Sequence, residues 1–177
     1  MANSTASSTK ESRMVTGLFR DKEGAERAWQ SAVNRGYDRD DISLLMSDET
    51  RRKYFADETE TGLDSKAQED AETASKTGGK IGAIAGAVAA VGSMLALPGI
   101  GIVIAGPLWA ALAGAGKLTG SAIDAMERAG ILREHAEAYE AGINEGGIVM
   151  GVNSRNEEDA AYFEREWKNN RGEHIYR

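Results

Sequence analysis

The sequence predicts an α+β fold in which two βαβ halves are interrupted by an inserted apolar helical hairpin. Three observations predict it. Residues 14–19 near one end and 148–152 near the other are β-forming runs, and each leads into a capped amphipathic helix and a further β-like run. Glycine is frequent, 21 of 177 residues, and is bunched between residues 78 and 120. Residues 81–116 carry no charge, although the chain as a whole has a net charge of −7.

Residues 1–13 are polar, rich in serine and threonine, and lack the apolar core of a secretory signal. They read as a disordered tail on a cytoplasmic chain. Residues 14–47 form the first half. Residues 14–19 (MVTGLF) read as a strand. Asp21 stands where a side-chain oxygen caps a helix, and Ala25, Ala28, Trp29, Ala32 and Val33 follow at the spacing of one helical face. Gly36 is a natural stop, and residues 42–46 (ISLLM) read as the second strand.

Residues 48–77 turn polar and hold most of the negative charge. They read as an acidic linker in preference to a solvated helix, with residues 66–75 the part most able to be helical.

Residues 78–128 are the predicted glycine-zipper hairpin. Gly78, Gly82 and Gly86 recur at spacing four, Ala90 continues the series, and Gly106, Ala110 and Gly114 answer from the second arm. Gly116 and Gly120 form a further pair. Pro98-Gly99 makes the turn, Pro107 opens the second helix, and that helix runs on through Ile123 and Met126. On a helix such spacing lays a side-chain-free groove, which lets backbones approach closely. Each glycine costs a water-exposed helix roughly 1 kcal/mol against alanine, so lipid or tight packing must offset the series. These residues are the predicted helix-packing and self-association site.

Residues 129–177 complete the second half. Leu132, Ala136, Tyr139 and Ile143 share a helical face that Gly146-Gly147 ends, and residues 148–152 (IVMGV) read as a strand. Asn156 caps a helix whose first turn is acidic, and Ala160, Phe163 and Trp167 line its inner face. His174-Ile175-Tyr176 reads as a last short strand. The two ends echo each other, Asn34-Arg35-Gly36 against Asn170-Arg171-Gly172, with a one-residue offset. Two such halves make a ferredoxin-like sandwich, with one sheet covered by helices.

Little in the chain looks catalytic. It has no cysteine, which removes thiolate nucleophiles, thiolate metal ligands and disulfides together. It has two histidines, His135 and His174. His135 lies among scattered acids without a second strong ligand at helical spacing, and reads as part of a solvated helix face. Asp40-Asp41 reads as a cap or turn. Gly78-Gly79-Lys80 lacks the spacing of a phosphate loop. No enzyme, catalytic residue, metal or cofactor is predicted. An acidic chain whose longest cationic run is Arg51-Arg52-Lys53 disfavours nucleic acid, and Phe19 alone is too little for base stacking.

The predicted partners are further copies of the chain and membrane lipid. Each arm offers about 25 Å of uncharged helix against a hydrocarbon core of about 30 Å, so shallow insertion is as acceptable as a span. Lys80 and Lys117 bracket the stretch and would stay with the acidic domain at the cytoplasmic membrane. A soluble homo-oligomeric scaffold, with the hairpins as its inter-subunit core, is the alternative. A small-molecule-sensing module is a third.

The chain also resembles a bacterial general-stress, or heat-induced stress, protein family. The resemblance rests on residues 15–19 (VTGLF), Glu26-Arg27-Ala28, Gly36-Tyr37 and residues 41–44 (DISL), then residues 136–142 (AEAYEAG) and 145–149 (EGGIV). It implies a ferredoxin-like domain, often with a glycine-zipper insertion, a part in the stress response, and no assigned activity. It supplies no catalytic residues.

Overall fold

Local signals in the sequence act where their chemistry places them. Asp21 is extended and its carboxylate accepts from the Gly24 amide at 2.6 Å, so the helix starts there. Asn156 does the same for the Asp159 amide at 2.8 Å. The computed structural model describes residues 13–38, 41–60, 102–106 and 121–177. In chain order these form β1 (Arg13–Phe19), α1 (Lys22–Asn34), β2 (Ile42–Ser47), α2 (Asp48–Glu60) and β3 (Ile102–Ala105). Then come α3 (Ala122–Arg128), α4 (Arg133–Asn144), β4 (Ile148–Ser154), α5 (Glu157–Asn169) and β5 (Glu173–Tyr176).

The class is α+β. The strands make one antiparallel sheet in the order β3-β2-β4-β1-β5. β1 and β2 are both antiparallel to β4, which lies between them. β4 and β5 are likewise both antiparallel to β1. Each half is therefore a split βαβ unit whose gap is filled by a strand of the other half.

The two-residue period of the strands sorts the core onto two faces. Val15, Phe19, Leu44, Met46, Met150 and Val152 point to one face, where α1 and α5 lie. Alanines 25, 28 and 32 let α1 lie close, and Phe163 and Trp167 fill the layer. Leu18, Leu45 and Val149 point to the other face, beneath α3 and α4. Gly142 is what lets α4 settle there, because a Cβ on it would stand 2.4 Å from a Leu18 methyl. Helices thus cover both faces of the sheet.

Some expectations are corrected. The acidic linker is helical through residue 60, as α2. Ser47 Oγ accepts from the Thr50 amide at 3.1 Å at its start, Asp48 and Glu49 suit the positive helix end, and Phe55 is buried in the core. Residues 66–75 lie outside the described residues. Within the predicted helical hairpin, residues 102–105 are a strand paired with β2. The second arm does not run on into α3 either. Ser121 is extended and forms a capping box with Asp124, so α3 begins afresh. Leu132, expected on the inner face of this helix, is its N-cap and 61% exposed, and the buried face of α4 is Ala136, Tyr139, Gly142 and Ile143.

The offset between the two closing turns has a backbone counterpart. Gly36 holds the left-handed position after α1 with φ +85°, whereas Arg171 holds it after α5 with φ +65°. The second half closes one residue earlier relative to its Asn-Arg-Gly run.

Candidate functional site

Three clusters of described polar groups bear on a candidate site. The first is where the end of α1 meets the start of α5. Asp159 is almost wholly buried in the first turn of α5. Its carboxylate accepts from the Tyr37 hydroxyl at 2.6 Å and from Arg35 Nε at 2.7 Å. Arg35 also donates to Glu158 at 2.8 Å. The Tyr37 hydroxyl in turn accepts from the Arg155 amide at 2.8 Å, and the Arg155 guanidinium lies 4.1 Å over the Tyr37 ring. Burial, then the bond to Asp159, pushes the Tyr37 hydroxyl up to about 12. The Tyr37 hydrogen bond and then the Arg35 contact hold the Asp159 carboxyl below its ordinary value. Asp41 accepts from the Asp38 amide at 3.0 Å, the turn role expected of it, and Asp40 lies outside the described residues.

This cluster ties the end of α1 to the start of α5, with Arg35, Tyr37, Glu158 and Asp159 bonded to one another. Asp159→Ala leaves the buried Tyr37 hydroxyl without its acceptor and should cost about 2 kcal/mol in urea denaturation. A loss no larger than that of an exposed glutamate such as Glu157 would remove Asp159 from this role. The pH dependence follows from the depressed carboxyl. Its contribution is full above the ordinary aspartate value of 3.8 and is lost as pH falls through the lower folded value. The Asp159→Ala variant should therefore differ most from the parent at neutral pH and converge with it in acid.

The second place mirrors the first. Arg171, after α5, pairs with Asp21 at 3.5 Å and Glu23 at 3.3 Å in the first turn of α1. Each helix end thus offers a cation to the acidic start of the other.

The third place is the opposite face of the sheet. The buried Tyr139 hydroxyl lies 2.8 Å from the His174 carbonyl and 2.7 Å from Thr16 Oγ1. It donates its one hydrogen to the carbonyl, which can only accept, and accepts from Thr16. Burial pushes this hydroxyl far up. His135 is not on a solvated face as expected: its ring stacks on Tyr176, centroids 3.3 Å apart and 6° from parallel. Among the described residues no group of acids and histidines is arranged to hold a metal ion.

Against this geometry, the predicted association site is mostly unplaced. Gly78, Gly82, Gly86, Ala90, Ala110, Gly114, Gly116 and Gly120, with the turn Pro98-Gly99, lie outside the described residues. Gly106 is described, and it is not on a helix. It ends β3 with φ +91°, and a Cβ there would lie 2.0 Å from the Ile42 carbonyl oxygen. What sequence reasoning missed is β3 itself. The signal was present: Ile102, Val103 and Ile104 are β-branched, with Gly101 before them and Gly106-Pro107 soon after.

No family model matches the chain, and no curated protein or solved structure matches it. The functional reading therefore rests on the chain's own chemistry. Among the described residues no helix is long and apolar enough to cross a membrane. The uncharged stretch meets the folded domain at β3, whose four residues pair with β2 in an unbroken register from Leu44↔Ala105 to Ser47↔Ile102.

Proposed function

We propose that the chain is a non-enzymatic stress-response protein that works by association through its uncharged, glycine-rich stretch, with a ferredoxin-like domain as its carrier. One observation carries the reading. A chain of net charge −7 keeps residues 81–116 free of charge, brackets them with Lys80 and Lys117, and ties them to the sheet through β3. The strand order β2-β4-β1-β5, with α1 and α5 on one face, supports the ferredoxin-like assignment. The inward-facing bonds of Asp159, Tyr37 and Tyr139 support a structural and not a catalytic role for the buried polar groups.

The stretch meets a membrane surface in the first reading and other copies of the chain in the second. β3 and the Ser121 cap leave residues 107–120 for the second arm. As a helix these reach roughly 21 Å, against a hydrocarbon core of about 30 Å. That favours shallow contact over a span. The pairing of β3 with β2 favours the second reading, because four residues of the stretch are committed to the sheet and not to lipid.

Purified full-length protein decides between them. Flotation with anionic vesicles is expected in the first case, and a multiple of the monomer mass by light scattering without detergent in the second. Replacing both Gly82 and Gly86 by leucine should abolish whichever is seen. A strict monomer that does not float would end the proposal.

A further inference from the structure

The two edges of the sheet are built differently. β5 is guarded. It is four residues long, Glu173 and His174 are exposed, His174 is left-handed with φ +46°, and its register with β1 shifts between Thr16 and Leu18. Charge, a bulge and shortness are how proteins keep an edge from pairing with another chain. β3 has few of these devices. Its sequence, IVIA, has no charge or proline, and its ladder with β2 is regular. No strand pairs with its outer side among the described residues.

We infer that β3 is a self-pairing edge: the β3 strands of two copies align antiparallel about a twofold axis and extend the sheet from one protomer into its partner. The occupant follows from charge. Two chains of net charge −7 repel wherever their acidic surfaces meet, but β3 lies inside the uncharged run of residues 81–116, so the paired strands themselves carry no like charges. A twofold axis also presents the same strand from both sides and continues the antiparallel pattern of the sheet. Four residues alone make a small contact, so the inference rests on the association reading above and names where that association is registered.

The absence of cysteine makes the test clean. Full-length Val103→Cys and Ile104→Cys are oxidised mildly, separately and as an equimolar mixture, with Ala161→Cys on the exposed side of α5 as control. Directly opposed residues of an antiparallel pair lie about 4.5–5.5 Å apart at Cβ, close enough to form a disulfide. Several-fold more covalent dimer than the control, in at least one of the three samples, is expected. If none exceeds the control while light scattering still gives an oligomer, β3 pairing is overturned and association stands. If the protein is also monomeric, both fall. Hydrogen exchange on unmodified protein is the independent check. Protection of the amides of residues 102–105 should rise with protein concentration. Full protection at the lowest concentration means the chain's own residues cover the edge, which overturns the inference.

Discussion

Trp167→Ala should lower the stability of the domain by about 3–5 kcal/mol. Trp167 is fully buried at the end of α5, with Phe19 and Phe163 each 5.8 Å away between ring centroids. The position of a Cβ on Gly17 is 3.1 Å from the indole, so the sheet is already in contact with the ring and cannot move in to fill a void. Deleting the ring therefore leaves a cavity in the layer that joins α1 and α5 to the sheet. The loss is a large share of a total that is typically about 5–15 kcal/mol. Trp167→Phe separates volume from polarity. The indole N–H has no hydrogen-bond partner, so phenylalanine sheds an unpaired donor along with part of the ring, and should cost clearly less than alanine. Urea denaturation followed by circular dichroism measures both. A Trp167→Ala loss near the roughly 0.5 kcal/mol of a surface change would contradict this packing.

Gly106→Ala should also destabilise, and here the sign matters as much as the size. Were Gly106 a groove position on a helix, alanine would be the better helix former by about 1 kcal/mol. At the end of β3 it meets a left-handed backbone and the Ile42 carbonyl oxygen. The backbone conformation costs alanine about 1–2 kcal/mol and the overlap adds about 1–3, for a loss of roughly 3 kcal/mol. Hydrogen exchange should show amides of β2 and β3 losing protection while those of β1 keep it. A stabilised variant would restore the helical reading of this stretch.

The contrast shows what the sequence made legible. β1, α1, β2, β4 and α5 are written locally. A side chain three residues ahead of the amide it caps, a 3.6-residue apolar stripe and a run of β-formers each act within one element, and Asp21, Asn156 and the Ala160-Phe163-Trp167 face behave as their spacing requires. Composition read over longer windows did worse. The charge of residues 48–77 hid α2, because a single turn bearing Tyr54 and Phe55 is enough to fasten an otherwise polar helix, helped by Lys22 donating to the Tyr54 carbonyl at 3.1 Å. The glycine spacing from Gly78 to Gly120 hid β3, whose evidence is three β-branched residues inside a much longer pattern. Strand order was not legible at all, since it depends on partners far apart in sequence. Of the predicted association residues, Gly106 alone is among those described, and its role is set by the Ile42 carbonyl, which no local pattern reveals.

The interleaving of the halves has a consequence for biosynthesis. Within the sheet β1 pairs with β4 and β5, and among the described strands β4 separates it from β2. On the ribosome, then, β1 waits without a strand partner until the residues of β4, through Ser154, have emerged, and closing that long-range pairing is slow compared with forming α1. During that interval β3 is already made and has only β2 to pair with, which exposes its β-branched residues to premature contact with other nascent chains. The segment made just before β3 is rich in acidic residues from Asp48 to Glu72, and like charge of that kind opposes such contact.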